Sequence, residues 1–271
     1  MRIFLAGATG VIGRPLLTKL VDEGHEVTAM TRSPNRAVQL AGTNVRAVVT
    51  DVYDQDAVRR AMVDARPEVV VHQMTALPAR IRPRKVNADS FATNRLRTKG
   101  TQILIEAAVA AGARRLIAQS IAFVTRPEGP PILDESAPLY DDAPASMGDF
   151  IAAVAELEQR VTSAPNIDGV VLRYGFFYGP KTAYAPEGWV LADVARWRLP
   201  VVGEGSGMWS FVHVDDAALA TVHALRHGRG IYNITDDDPA PSREWITELA
   251  ARLNKRPMRV PLWLGRLIAG P

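Results

Sequence analysis

Gly7, Gly10 and Gly13 lie three apart in the stretch LAGATGVIGRP, between an apolar run and an amphipathic one. Glycines so spaced between a strand and a helix are suited to holding phosphate. The first permits the turn, the second lets the backbone approach a pyrophosphate, and the third lets the helix sit close to the sheet. The helix start then offers unpaired N–H groups and a partial positive charge to the anion. The stretch is therefore expected to bind a dinucleotide, with Thr9, Val11 and Ile12 completing the loop.

The end of the second strand discriminates between dinucleotides. An acidic side chain there would accept from the ribose 2′-hydroxyl and repel a 2′-phosphate. The segment reads AMTRSPNR, so Thr31, Arg32, Ser33 and Arg36 stand where the acid would be, and Arg14 follows the third glycine. The guanidinium fork suits phosphate. The expected cofactor is therefore NADP(H) rather than NAD(H). Asp51 and Val52, after the third strand, are expected to edge the adenine. Gln73, Met74 and Thr75, with Ala76, are expected near the nicotinamide ribose.

The glycine loop needs a strand before it and a helix after it, and the chain supplies that alternation. Apolar runs at 3–6, 27–30, 45–49, 69–72, 115–119 and 170–172 read as strands. Helical patterns fall at 11–21, 54–63, 88–111 and 150–161. Strands alternating with helices imply βαβ units and an α/β, Rossmann-like, doubly wound parallel sheet. After residue 173 proline, glycine and aromatics crowd in. A helix at 191–198, a strand at 211–214, a helix at 215–226, a strand at 231–234 and a helix at 242–253 follow. Residues 1–172, rejoined by 211–235, are assigned to the dinucleotide-binding domain. Residues 173–210 and 236–271 are assigned to a small C-terminal substrate lobe. The apolar ending VPLWLGRLIAGP either packs on that lobe or runs on into further chain.

Composition excludes several classes of function. The 271 residues contain no cysteine, so disulfides, thiolate metal sites and thiol catalysis are out. No signal peptide or membrane-length apolar run is visible, and the cytoplasm is the expected compartment. The net charge is +3, and the densest basic patch, Arg80 to Lys85, has only Phe91 near it for stacking. Nucleic acid is therefore not an expected partner. His223 and His227 stand one helical turn apart without a third ligand, so no metal site is expected. Asp215 and Asp216 read as the cap and first turn of a helix. The abundance of Arg over Lys, with much Ala, is a mark of a GC-rich bacterial genome.

The chain resembles the extended short-chain dehydrogenase/reductases of the NAD-dependent epimerase/dehydratase type. The matching residues are GATGVIG (7–13), DVYD (51–54), GTQILIEAAVAAGARRLI (100–117), LRYGFFYGP (172–180), FVHVDDAALA (211–220) and YNITDDDP (232–239). Members usually carry a Ser and a Tyr-x-x-x-Lys pair, in which the Tyr exchanges a proton with the substrate and the Lys lowers its pKa. Counted back from Glu158, the Tyr position is Phe150 and the Lys position is Val154. Ser120 stands one residue early, which puts Ile121 in the catalytic slot, and Arg97 replaces a common Asn. Phe176 and Trp209 stand where sugar-nucleotide enzymes often carry Asn and Arg, so the resemblance argues against such a substrate.

Phe123, Met147, Phe150, Phe176, Tyr178, Met208 and Trp209 map onto the expected pocket and suit a flat aromatic ligand. The leading expectation is an atypical NADPH-dependent ketoreductase acting on a bulky aromatic, polyketide-like ketone. Its proton would come from water or from a phenol on the substrate. Ser120, Ser146 and Tyr174 remain as weak helpers. The second expectation is a non-catalytic NADP(H)-binding sensor, and the third is a sugar-nucleotide epimerase or dehydratase. The oligomeric state is left open.

Overall fold

The computed structural model describes residues 1–269. Its elements alternate as β1 (Arg2–Ala6), α1 (Gly13–Asp22), β2 (Glu26–Thr31), α2 (Pro34–Leu40), β3 (Val45–Val49), α3 (Gln55–Ala65) and β4 (Val69–His72). A short 3-10 turn at Pro83–Lys85 leads into α4 (Val86–Arg95), a π-turn at Leu96–Gly100, α5 (Thr101–Ala110), β5 (Arg115–Ile121), α6 (Gly148–Thr162) and β6 (Asp168–Tyr174). The remainder is β7 (Phe176–Tyr178), α7 (Trp189–Ala195), β8 (Val201–Val202), β9 (Met208–Trp209), β10 (Phe211–His213) and α8 (Val214–Ala224), then β11 (Gly230–Ile234), β12 (Ala240–Pro241), α9 (Ser242–Arg252), β13 (Arg259–Val260) and α10 (Leu262–Ala269).

Seven parallel strands form the central sheet in the order β11-β6-β5-β4-β1-β2-β3. The runs RIFLA, VVVH and DGVVLRY are apolar on both faces because helices cover both faces. One core lies under α1 and α8, around Leu16, Leu20, Val71 and Val222. The other lies under α3, α5 and α6, around Met62, Leu104 and Leu157. The chain order reverses between β1 and β4, and ligands of such sheets bind in the crevice at that switch point.

Local chemistry explains the helix starts. Asp54 caps α3, accepting from the Ala57 N–H at 2.9 Å. Ser33 caps α2 with Pro34 in its first turn, a helix absent from the patterns expected from the sequence. The cap of α8 is the His213 side chain, with Asp215 and Asp216 in the first turn, which corrects the expected aspartate cap. The helical pattern at 88–111 is not continuous, because the π-turn separates α4 from α5. Residues 211–235 rejoin the sheet only in part: β11 pairs with β6, whereas β10 pairs with β7. No helix among the described residues is long and apolar enough to cross a membrane.

Candidate active site

The first strand ends in the glycine loop at the switch point. Gly7 has a φ of +97°, and a Cβ on it would lie 2.6 Å from the Gln73 carbonyl carbon. A Cβ on Gly13 would lie 2.1 Å from the Gly7 oxygen. The loop is thus clamped between the β4 end and α1, and only glycine fits there. Helix α1 has Ile12 at its N-cap without a side-chain cap; the Arg14 N–H donates to the Gly10 carbonyl at 3.2 Å and Pro15 has no N–H, so the Gly13 N–H is the first-turn donor left for an anion. Thr9 is half-buried, and Gly10 and Val11 are exposed at the loop tip. This cradle fits a pyrophosphate.

Two guanidinium groups touch the cradle and a third stands at the end of β2. Arg14 Nε donates to the Thr9 carbonyl at 3.3 Å, and Arg36 Nη1 donates to Thr9 Oγ1 at 3.4 Å. Arg32 is exposed near the Tyr53 hydroxyl, whose pKa is raised by burial and lowered by Arg95 and Arg32. The hydroxyls of Thr31 and Ser33 serve local structure, accepting from the N–H groups of Ser33 and Arg36. Asp51 is exposed, and one of its oxygens accepts from the Tyr53 N–H.

Several expected contacts are corrected by burial. The Ile12 and Val52 side chains belong to the two cores and are not available as side-chain contacts. Tyr174 is a core residue rather than a cofactor contact or proton helper. Its hydroxyl lies 2.7 Å from Thr221 Oγ1 and receives Gln73 Nε2 at 3.2 Å, and burial pushes its pKa up to about 12. The Gln73 amide is thereby turned into the core, while Met74 is half-buried and Thr75 exposed. His72 is buried, accepts from the Met74 N–H, and has its pKa lowered to about 4 by desolvation, so it is neutral at physiological pH.

Helix α6 presents apolar side chains where the resemblance expects Tyr and Lys. Phe150 and Val154 are buried with Val86, Val124 and Ile151, and Ile121 and Met147 pack against them. Phe150 and Met147 thus form a floor rather than an exposed pocket wall. Beneath them, Glu158 accepts from Arg173 Nε at 2.8 Å and Nη2 at 2.6 Å, and from Ser120 Oγ at 2.7 Å. Ser120 is buried and its hydroxyl proton is committed to this carboxylate, which removes it as a free acid. The Ser146 carbonyl accepts from the Asn87 N–H.

The aromatic residues do converge. Phe123 stacks on Phe176 at 4.1 Å and 9°, and Phe176 meets Trp209 at 4.1 Å. Phe211, Tyr184 and Trp245 back this ladder. Phe123 is 45% exposed, so the ladder has an open face. Tyr178 and Met208 are exposed, with Tyr178 edge-on to Phe211 and to His213. Sequence reasoning missed Tyr184, Phe211 and Trp245 because the resemblance marked no pocket position at them, as it did at Phe176 and Trp209.

The pattern described as the NAD dependent epimerase/dehydratase family matches residues 3–235. The chain belongs to that family. A 3-diazoavenalumate denitrifying reductase from a Streptomyces species is 49% identical over 96% of this chain and 84% of its own length. A 4-hydroxy-2-methyl-3-oxo-4-farnesyl-3,4-dihydroquinoline-1-oxide ketoreductase from Stigmatella aurantiaca is 29% identical over 92% of this chain and 72% of its own. The UDP-glucose 4-epimerase of Thermus thermophilus, solved with NAD, shares 27% identity and a TM-score of 0.71, covering 96% of this chain and 86% of that one. This member of the NAD dependent epimerase/dehydratase family is an oxidoreductase, as its reductase relatives are.

Proposed function

We propose that the protein is an NADPH-dependent reductase that delivers hydride to a flat aromatic electrophile without drawing a proton from a Tyr–Lys pair. The observation that carries this reading is helix α6, which buries Phe150 and Val154 beside a glycine cradle fit for a dinucleotide. Bound in that cradle, a reduced nicotinamide cofactor supplies the hydride. The loop and the α1 start hold its diphosphate, and Arg14, Arg32 and Arg36 hold a 2′-phosphate. The ladder of Phe123, Phe176 and Trp209 stacks the aromatic substrate and excludes water from one face. Proximity and orientation alone supply roughly 7–11 kcal/mol of barrier reduction.

A diazo-bearing aromatic acid is the favoured substrate class. An aryl diazonium takes up one hydride at the ring carbon, the C–N bond breaks, and dinitrogen leaves with its electron pair. The step balances without a proton. A site with Phe150 and Val154 at the positions of the acid–base pair is suited to that reaction, and the Streptomyces relative is named for a denitrifying reduction. The second reading is an aromatic ketone whose neighbouring phenol supplies the proton, in keeping with the Stigmatella ketoreductase.

The test is to supply NADPH deuterated at the transferring carbon, with ortho-hydroxybenzenediazonium or an ortho-hydroxyaryl ketone. A protein-free control corrects for background. The expected result is one dinitrogen released per NADPH oxidised, with deuterium on the ring carbon. Deuterium on a carbinol carbon instead selects the ketone reading. No protein-dependent NADPH oxidation with either compound overturns the proposal. Arg32→Ala with Arg36→Ala is expected to cut the preference for NADPH over NADH by about tenfold or more, the worth of one or two charge-assisted hydrogen bonds.

A further inference from the structure

The floor of the site holds a cation that the hydride step leaves unused. Arg97 lies within the π-turn that interrupts the helix after β4. It is only 5% exposed. Its guanidinium carbon sits over the Phe150 ring, 4.9 Å from the centroid. Among the described residues one of its N–H groups has an acceptor, Asn94 Oδ1 at a long 3.4 Å. No carboxylate among them lies within 4 Å of it; Glu158, which Arg173 and Ser120 bind, is near enough to favour its charge without pairing with it. Two buried guanidinium groups therefore share one carboxylate, and the floor carries an excess positive charge.

A buried charge with one long hydrogen bond and a carboxylate it must share is costly. Burial holds the Arg97 pKa down to about 10, so the group is still charged at neutral pH. Single π-turns inside helices recur at functional sites, where they re-aim a side chain. Here the turn lies between the β4 end, with its neutral His72, and the α6 face that carries Phe150. Phe150 packs with Val124 and Ile121, and Phe123, which stacks in the aromatic ladder, precedes Val124 in the chain.

We infer that Arg97 holds an oxygen anion on the aromatic substrate, a phenolate adjoining the reacting carbon. This rests on the reading of the site as one for an aromatic hydride acceptor. Charge-assisted donation by the guanidinium keeps the phenolate ionised and fixes the ring on the ladder beside the nicotinamide. The groups facing this oxygen are Arg97 from the π-turn, neutral His72 from β4, and the Glu158–Arg173 pair from α6 and β6. The balance of these charges favours the anion.

Nitrophenol reports its own ionisation by colour and tests the inference without turnover. It is titrated into the NADP⁺-saturated protein across pH, with nitroanisole as the partner that cannot ionise. The bound phenol is expected to ionise at least about one pH unit below the free one. Nitroanisole should bind at least about tenfold more weakly than the phenolate. Arg97→Gln abolishes both differences while leaving NADP⁺ affinity within about threefold, and Arg97→Lys restores part of them. An unshifted phenol, equal binding of phenol and anisole, no binding of either, or an Arg97→Gln variant that loses NADP⁺ instead overturns the inference. The phenol–anisole comparison on the unaltered protein stands even where a variant fails to fold. A shifted phenol with no NADPH oxidation removes the proposed function and leaves this inference in place.

Discussion

Glu158 joins two other buried polar side chains, Arg173 and Ser120, in one network. Three hydrogen bonds from Arg173 and Ser120 converge on it. Glu158→Gln leaves Arg173 buried without its counter-charge, and a loss of about 3–5 kcal/mol in urea unfolding is expected. A loss under about 1 kcal/mol would show that the pair is not anchored as the distances imply. His72 gives a pH dependence of definite sign. Its pKa is about 4 in the fold against 6.5 in the free side chain. Above pH 6.5 it is neutral in both states and costs nothing. As pH falls from 6.5 to about 4 the unfolded chain takes up the proton first, so stability is lost over that window, by about 3 kcal/mol in total. His72→Asn keeps an acceptor for the Met74 N–H and cannot titrate, so its stability profile should be flatter there. An unchanged slope would assign the acid sensitivity to other groups. At this scale the sequence indicated residue types well and partners poorly. That Phe150 and Val154 lack acid–base chemistry is plain from their identity. That Ser120 donates to Glu158, and that Tyr174 points into the core, depends on strand facing across β5 and β6.

The central elements are held together by close backbone approaches as much as by side chains. Helix α1 rests on the glycine loop at Gly13, where an added Cβ would meet the Ala8 Cα at 2.9 Å as well as the Gly7 oxygen. Gly13→Ala is therefore expected to lower Tm by several degrees and to abolish cofactor binding, because α1 must shift off the loop. Gly148→Ala is the matched control, since nothing lies within 4 Å of the added Cβ at the start of α6. Calorimetry with and without NADPH reads both. Equal behaviour of the two variants would refute the clamp. The strand spans of the sheet domain were legible because β1, β2, β4 and β5 are short apolar runs between turn residues, whereas the short helix α2 was not. The π-turn was not, because LRTKG fits a helix equally well and only the docking of α4 and α5 on different neighbours forces the extra residue. The two-residue strands β8, β9, β12 and β13 were also invisible, since each exists only through a partner distant in sequence.

For the molecule as a whole, the cofactor is expected to act as a stabiliser. NADPH at a hundred times its Kd should raise unfolding stability by about 2.7 kcal/mol, since it binds the folded chain alone. NADH at the same concentration should do much less, because it offers no 2′-phosphate to Arg14, Arg32 and Arg36. Equal stabilisation by the two would move the preference away from NADP(H). The sequence by itself determined the doubly wound parallel sheet, the place of the dinucleotide cradle and the apolar character of α6. Those features are local: period, punctuation and glycine spacing lie within a few dozen residues. Only the tertiary structure decided which rings form the ladder, which hydroxyls are spent in the core, and that Arg97 is buried over Phe150 with a single acceptor among the described residues. Those outcomes depend on which faces of β4, β5, β6 and α6 meet, and contacts between segments so far apart are set by packing of the whole chain.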